Sequence, residues 1–240
     1  MQNQIKYLML VLIGFSFSAW GSSLQISPLR IDLNAKQRIE IVTLTNRDDE
    51  PLNLQLGIKR WRQSNGNDSY SDTHEILVTP PIIRIAPNKQ QIIRVGLIRS
   101  ADFSQELSYR LYVTEIPGRQ ISPQAGGEVR IISRIGIPIF VNANVDATAK
   151  INWRWQAKKQ GQNLYVSLNN LGNQHIKILG LLVKTSVDSE AFISNQEVRY
   201  VLPKQMIAWI LPLPNIAKNS TSFLIEANTN KGWLSTTVTT

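Results

Sequence analysis

The 240-residue chain contains no cysteine and only two histidines, His74 and His175. The first absence excludes disulfides, thiol nucleophiles and thiolate metal sites, and the second excludes a multi-histidine metal centre. No G-x-S-x-G, no H-E-x-x-H and no phosphate-cradling glycine loop occurs. His175, in "NNLGNQHIK", reads as a surface turn residue, and the acidic run Asp48, Asp49, Glu50 reads as a solvated turn. With no catalytic constellation in view, the chain is expected to be a non-enzyme that needs no cofactor, metal or small-molecule substrate.

Long apolar runs are scarce as well. One run lies in "MQNQIKYLMLVLIGFSFSAWGSS", where Lys6 precedes the apolar core and the small residues Ala19 and Gly21 follow it. That is the pattern of a secretory signal, short for a membrane span. Residues 1–21 are expected to be a signal peptide, with Ser22 opening the exported protein. An exported protein without cysteine must be stabilised by core burial, which two domains of ordinary size can supply. Lys and Arg total 26 against 17 Asp and Glu, a formal charge of +9. A basic surface suits an anionic membrane, a nucleic acid or an acidic protein. Export and the scattered placement of the basic residues argue against nucleic acid.

What the chain has in quantity is short alternating runs. "LQISPLRIDL", "QRIEIVTLTN", "LNLQLGIKRW", "EILVTPPIIRIAP", "QQIIRVGLI" and "ELSYRLYVTEIP" alternate apolar and polar residues. Turn chemistry such as "RDDEP" and the loop "SNGND" separates them, as in an antiparallel sandwich. Apolar residues thin out over "NANVDATAK", and a second set follows: "INWRWQA", "NLYVSLNN", "IKILGLLVKTSV", "WILPLP", "TSFLIEANT" and "WLSTTVTT". The expected architecture is all-β, with two tandem sandwiches over residues 22–142 and 143–240. The two halves share no evident sequence repeat. The tryptophans, Trp153 and Trp155 among them, could form a sugar-stacking platform, which makes a secreted carbohydrate- or surface-binding module the rival function; a sandwich core uses tryptophan in the same way.

One stretch is unusual. In "GGEVRIISRIGIPIFVNA" the period-two set Val129, Ile131, Ser133, Ile135, Ile137 and Ile139 is largely apolar, yet Arg130 and Arg134 stand on the other face and Pro138 near the end. Proline belongs at sheet edges. An exposed apolar edge strand invites aggregation unless a partner covers it.

Three blocks in order resemble the periplasmic pilus chaperones of the chaperone–usher pathway, the PapD-like family. They are "LTNRDDEPLNLQLGIKRW", "VTPPIIRIAPNKQQIIRVG" and "ELSYRLYVTEIP", and the likeness covers about Leu24 to Val141. The resemblance implies two immunoglobulin-like domains, residence in the periplasm, and pilin subunits and an outer-membrane usher as partners. It implies that the final strand of the first domain is lent to a subunit by donor-strand complementation, a case of strand addition. Val129, Ile131, Ile135 and Ile137 are then the groove-filling residues, and the free chaperone could self-associate through the same strand. Three or four such side chains at roughly 2 kcal/mol each give about 6–8 kcal/mol before ordering costs.

The family also anchors the subunit's terminal carboxylate with two basic residues. Arg30 in "ISPLRIDL" matches the first. Gly136 stands where the second, a lysine, is usual, so Arg110 or Arg134 would substitute. Phe140 stands where an arginine is usual, which leaves Glu106 without the family's interdomain ion pair. These departures, with the missing cysteines, point to the archaic branch of the family.

Overall fold

The computed structural model describes residues 24–100, 104–117, 132–142 and 152–240. The expected signal segment, Val129 and Ile131 lie outside the described residues. Ten strands make the first sandwich: β1 (Leu24–Ser27), β2 (Ile31–Leu33), β3 (Ile39–Asn46), β4 (Leu52–Ser64), β5 (Asn67–Asp72), β6 (Ile76–Thr79), β7 (Ile82–Ile85), β8 (Gln90–Leu97), β9 (Leu107–Glu115) and β10 (Arg134–Val141). One sheet runs β1-β3-β8-β6; the other runs β2-β10-β9-β4-β5, with β7 also paired to β4. Alternation puts Val42 and Leu44, Ile93 and Val95, Leu111 and Val113, and Ile137 and Ile139 into one core between the sheets.

The structure divides two stretches that each read as continuous alternation. "LQISPLRIDL" becomes β1 on one sheet and β2 on the other, because the chain crosses between sheets at Pro28. β6 and β7 are likewise parted at Pro80 and Pro81, one on each sheet. Proline lacks the N–H a ladder needs, so each break falls where a strand must leave its sheet. The "SNGND" segment is also tighter than a loop. Asn65 and Gly66 have φ of 50° and 79°, and Ser64 pairs with Asn67, closing a two-residue hairpin between β4 and β5.

The second sandwich contains β11 (Trp153–Gln160), β12 (Asn163–Asn170), β13 (Ile176–Lys184), β14 (Ile193–Asn195), β15 (Arg199–Val201), β16 (Met206–Pro212), β17 (Ser222–Thr229) and β18 (Gly232–Thr239). β11-β12-β16 faces a sheet of β14-β13-β17-β18 with β15 also on β13, and Leu164, Val166, Ile178, Val183, Phe223 and Ile225 fill the space between. Among the described residues the one helical element is a 3-10 turn at Asn215–Ala217.

The two halves share a corner that their sequences hide. Asn46, last residue of β3, turns its amide toward the carbonyls of Glu50, Ile85 and Ala86 and accepts the Asp48 N–H. Asn170, last residue of β12, does the same with Gln174, Val201, Leu202 and the Gly172 N–H. Both are fully buried, and each satisfies backbone groups where a strand ends.

Trp61, Phe140 and Leu202 form a separate buried cluster, with Tyr200 against it, that joins first domain to second. Beside it the Gln63 side chain donates to the Tyr200 carbonyl at 2.9 Å and accepts the Leu202 N–H at 2.8 Å.

Candidate binding face and interdomain contact

The outer face of the β2-β10-β9-β4-β5 sheet is built in rows set by register. Gln55, Thr114 and Arg134 form one row; Gly57, Tyr112 and Gly136 the next; Lys59, Arg110 and Pro138 the third. Two glycines flank Tyr112 in the register. A Cβ on Gly57 would meet nothing within 4 Å, whereas one on Gly136 would lie 2.8 Å from the Arg110 Cδ. Arg110 therefore occupies the space that a side chain at position 136 would need.

The guanidinium of Arg110 lies 4.4 Å from the centroid of the Trp61 ring and 5.7 Å from that of Tyr70, while Arg134 stands 4.0 Å above Tyr112. The Arg110 Nε is buried with no hydrogen-bond partner. Aromatic faces attract a cation but leave most of its N–H groups free to donate. Two other cations nearby have acidic partners. Arg30 pairs with Asp32 at 2.7 Å, and Lys59 with Asp72 at 2.5 Å. The hydrogen bond and charge of Lys59 hold the Asp72 carboxyl below its usual range. Burial pushes the Tyr70 phenol up; Arg110 opposes this, and Asp68, which accepts the phenol's hydrogen bond, adds to it.

β10 is covered unevenly. It pairs with β9 along its whole length, but β2 covers only Ile139 to Val141. Among the described residues, Arg134 to Pro138 therefore have one edge without a ladder partner, next to the row that carries Arg110.

The sequence-predicted site residues separate into groups. Arg110 and Arg134 lie on this one face, and Arg30 immediately precedes β2 at its margin. Ile135 is half-buried and packs against the first core. Ile137 corrects the expectation that it fills a partner's groove. It is 1% exposed and inside the first domain's own core, because β10 has entered the sandwich by that point and its inward face belongs to the domain. Val129 and Ile131 fall outside the described residues.

His175 is also corrected. It is 7% exposed, not a surface turn residue, and its Nδ1 lies 2.8 Å from the Glu106 carboxylate, whose side chain is 2% exposed. Phe140 stacks on the imidazole at 3.6 Å between centroids. Glu106 thus gains a second-domain partner after all, through a histidine far away in sequence, and no local signal around His175 marks it. Of the tryptophans, Trp61 and Trp209 are buried, Trp153 and Trp155 pack against the second core, and Trp233 is exposed.

The fold is two β-sandwiches in tandem, joined by an aromatic cluster and carrying a cationic face beside a half-covered strand. The family model for pili and flagellar-assembly chaperones, PapD N-terminal domain, matches residues 23–144, and the chain belongs to that family. Solved structures share the fold over both domains. A chain from the CsuC–CsuE chaperone–tip adhesion subunit pre-assembly complex, from archaic chaperone-usher Csu pili of Acinetobacter baumannii, is 21% identical with a TM-score of 0.68, covering 90% of this chain and 98% of that one. The YadV chaperone is 16% identical with a TM-score of 0.62, covering 91% and 100%. A chain from the complex of the Salmonella enterica SafA pilin with the SafB chaperone is 17% identical with a TM-score of 0.59, covering 89% and 95%. No curated protein sequence matches the chain.

Proposed function

We propose that the chain is a periplasmic chaperone of the archaic chaperone–usher branch, exported by the signal at residues 1–21. It captures pilin subunits by lending them the strand around Val129, Ile131 and Ile135, and delivers them to an outer-membrane usher. The observation that carries this reading is the half-covered β10, whose free edge at Arg134 to Pro138 adjoins two arginines held on aromatic rings. Main-chain hydrogen bonds to such an edge give affinity with little demand on partner sequence, and alternate side chains give register. The same edge serves for self-association when no subunit is present. Subunit folding supplies the energy, so neither nucleotide nor metal is required.

Arg110 is the second carboxylate anchor in this reading, with Arg30 the first. Gly136 makes room for Arg110 to reach over β10, and a guanidinium offers a planar donor fork to a carboxylate. Arg134, two rows further along the sheet, contributes less. The test is a periplasmic pull-down with a tagged pilin. Arg110→Ala is expected to reduce capture by about tenfold or more, the scale of a lost hydrogen bond to a charged group, with the melting temperature little changed. Arg134→Ala is expected to stay near wild type. Ile131→Asp is expected to abolish capture without unfolding the chaperone. Wild-type capture by the Arg110 variant would remove the anchor assignment, and unfolding of the Ile131 variant would return that residue to the protein's own core.

A further inference from the structure

We propose that the outer face of the second domain carries a separate binding site, for a neutral oligosaccharide, centred on Trp233. It stands apart from subunit capture and does not rest on that reading. Register lays the face out in rows. Gly180, Asn228 and Trp233 form one; Ser194, Leu182, Glu226 and Ser235 form the next. On these rows lies a shallow hollow of about 270 Å³, lined by Leu182, Glu226, Trp233, Leu234 and Ser235. Trp233 is 63% exposed, whereas Trp61 and Trp209 are buried and Trp153 and Trp155 pack against the second core. The exposed ring is presented by a well-tied turn. Gly232 has φ of 100°, and the Thr229 hydroxyl donates to the Gly232 carbonyl at 2.7 Å and accepts the Lys231 N–H at 3.0 Å. The Asn230 N–H donates to the Lys177 carbonyl at 3.0 Å, and the Lys177 N–H donates to Asn230 Oδ1 at 2.9 Å, which binds the turn to β13.

The lining selects the ligand. A pyranose ring has a face of C–H bonds, which packs on the electron-rich face of an indole, and a rim of hydroxyls that need donors and acceptors. The rows around Trp233 supply both. Glu226 gives one carboxylate oxygen to Lys184 at 2.9 Å and keeps the other to accept. Among the described residues, the side chains of Asn228 and Ser235 and the Trp233 indole N–H have no hydrogen-bond partner within the protein. The carboxylate and the ammonium cancel, so the hollow suits an uncharged ligand. Trp233 and Leu182 together offer far less than the ~800 Å² per partner of a stable protein interface. A small hollow with one aromatic wall and a few convergent polar groups has the form of a small-ligand site instead. Ser235, Thr237 and Thr239 continue exposed along the edge strand β18, so a line of hydroxyls extends the site for a chain of sugars rather than a single ring.

The test titrates cellopentaose and chitopentaose into the protein while the amide resonances of Asn228 and Ser235 are followed. Wild type is expected to show saturable shifts at both with at least one of the two sugars. Trp233→Ala is expected to weaken binding by about tenfold or more, the scale of losing an aromatic anchor. Trp233→Tyr keeps an aromatic face and is expected to retain binding. Trp233→Leu keeps apolar surface without that face and is expected to bind as poorly as the alanine variant. Glu226→Gln is expected to weaken binding severalfold, because a charge-assisted hydrogen bond becomes a neutral one. The Trp233 variants should melt with wild type, since the side chain lies outside the core. The proposal is overturned if neither sugar gives a saturable shift, or if Trp233→Leu binds as well as wild type, which would make the hollow a generic apolar contact. A dimer that sediments from wild type and dissociates in Trp233→Ala, with no response to sugar, would give the hollow to a second copy and overturn it as well. Capture of a tagged pilin by Trp233→Ala is expected to match wild type; reduced capture would assign Trp233 to the subunit contact and overturn the proposal, whereas a wild type that captures no pilin yet binds sugar overturns the capture reading alone.

Discussion

Glu75 illustrates how single residues in this protein are held. It precedes β6, accepts the Tyr109 hydroxyl, and meets Arg60 at 3.1 Å and Arg99 more closely. Burial alone would raise its carboxyl, but the Tyr109 hydrogen bond and the two guanidiniums outweigh burial and hold it below the ordinary 4.5. Tyr109 moves the other way, pushed up to about 12 by burial and by the Glu75 carboxylate. A depressed folded value means that the ionised carboxylate stabilises the fold above the ordinary range, and that this contribution is lost as pH falls through the folded value. The wild-type melting temperature is therefore expected to fall more steeply below pH 4.5 than that of Glu75→Gln, which has no carboxylate to protonate there. Parallel slopes in thermal scans from pH 7 to pH 3 would contradict it. His175 carries the opposite lesson about legibility. In sequence it stands in a run of turn formers, and only the docking of a second domain makes that turn an interior.

At the scale of elements, β10 decides most. Its alternation was plain in the sequence, but alternation does not say where a strand stops belonging to its own sheet. That boundary is set by β2, a three-residue strand that ends its cover at Ile139. Ile137 lies short of that cover, yet its inward side chain belongs to the first domain's own core. The opposite face of β10 depends on Gly136, whose missing side chain admits Arg110 onto Trp61. Gly136→Leu is expected to displace Arg110 from Trp61 while the first domain stays folded, since the closest clash is with a long, half-buried side chain on the outer face of the sheet. The Arg110 Nε resonance and Trp61 fluorescence should both shift, and pilin capture should fall about as far as in Arg110→Ala. Unchanged spectra would mean that the side chain finds room elsewhere.

At the scale of the whole molecule, cooperativity between the two sandwiches runs through few side chains. Phe140 is fully buried between Trp61, Tyr200 and His175. Phe140→Ala is expected to cost about 3–5 kcal/mol, the range for emptying a buried aromatic site. Most of that loss should appear as uncoupling, a calorimetric endotherm that separates into two transitions as the domains melt independently. A single transition, merely lowered, would place the cluster in the first domain's stability alone.

The sequence by itself determined the all-β class, the tandem sandwiches and the family blocks, because period-two alternation and turn residues are local properties. It also carried the arginines of the candidate face, since Arg110 and Arg134 sit in strands whose outward face can be counted. Tertiary structure alone decided which of two alternating residues a neighbouring strand covers, that prolines at Pro28 and Pro80 hand the chain between sheets, and that Asn46 and Asn170 lock equivalent corners. It alone brought Glu106, Phe140 and His175 together across the domain boundary. Such contacts join residues far apart in the chain, and their energy comes from burial and hydrogen bonds that exist only once both domains have docked.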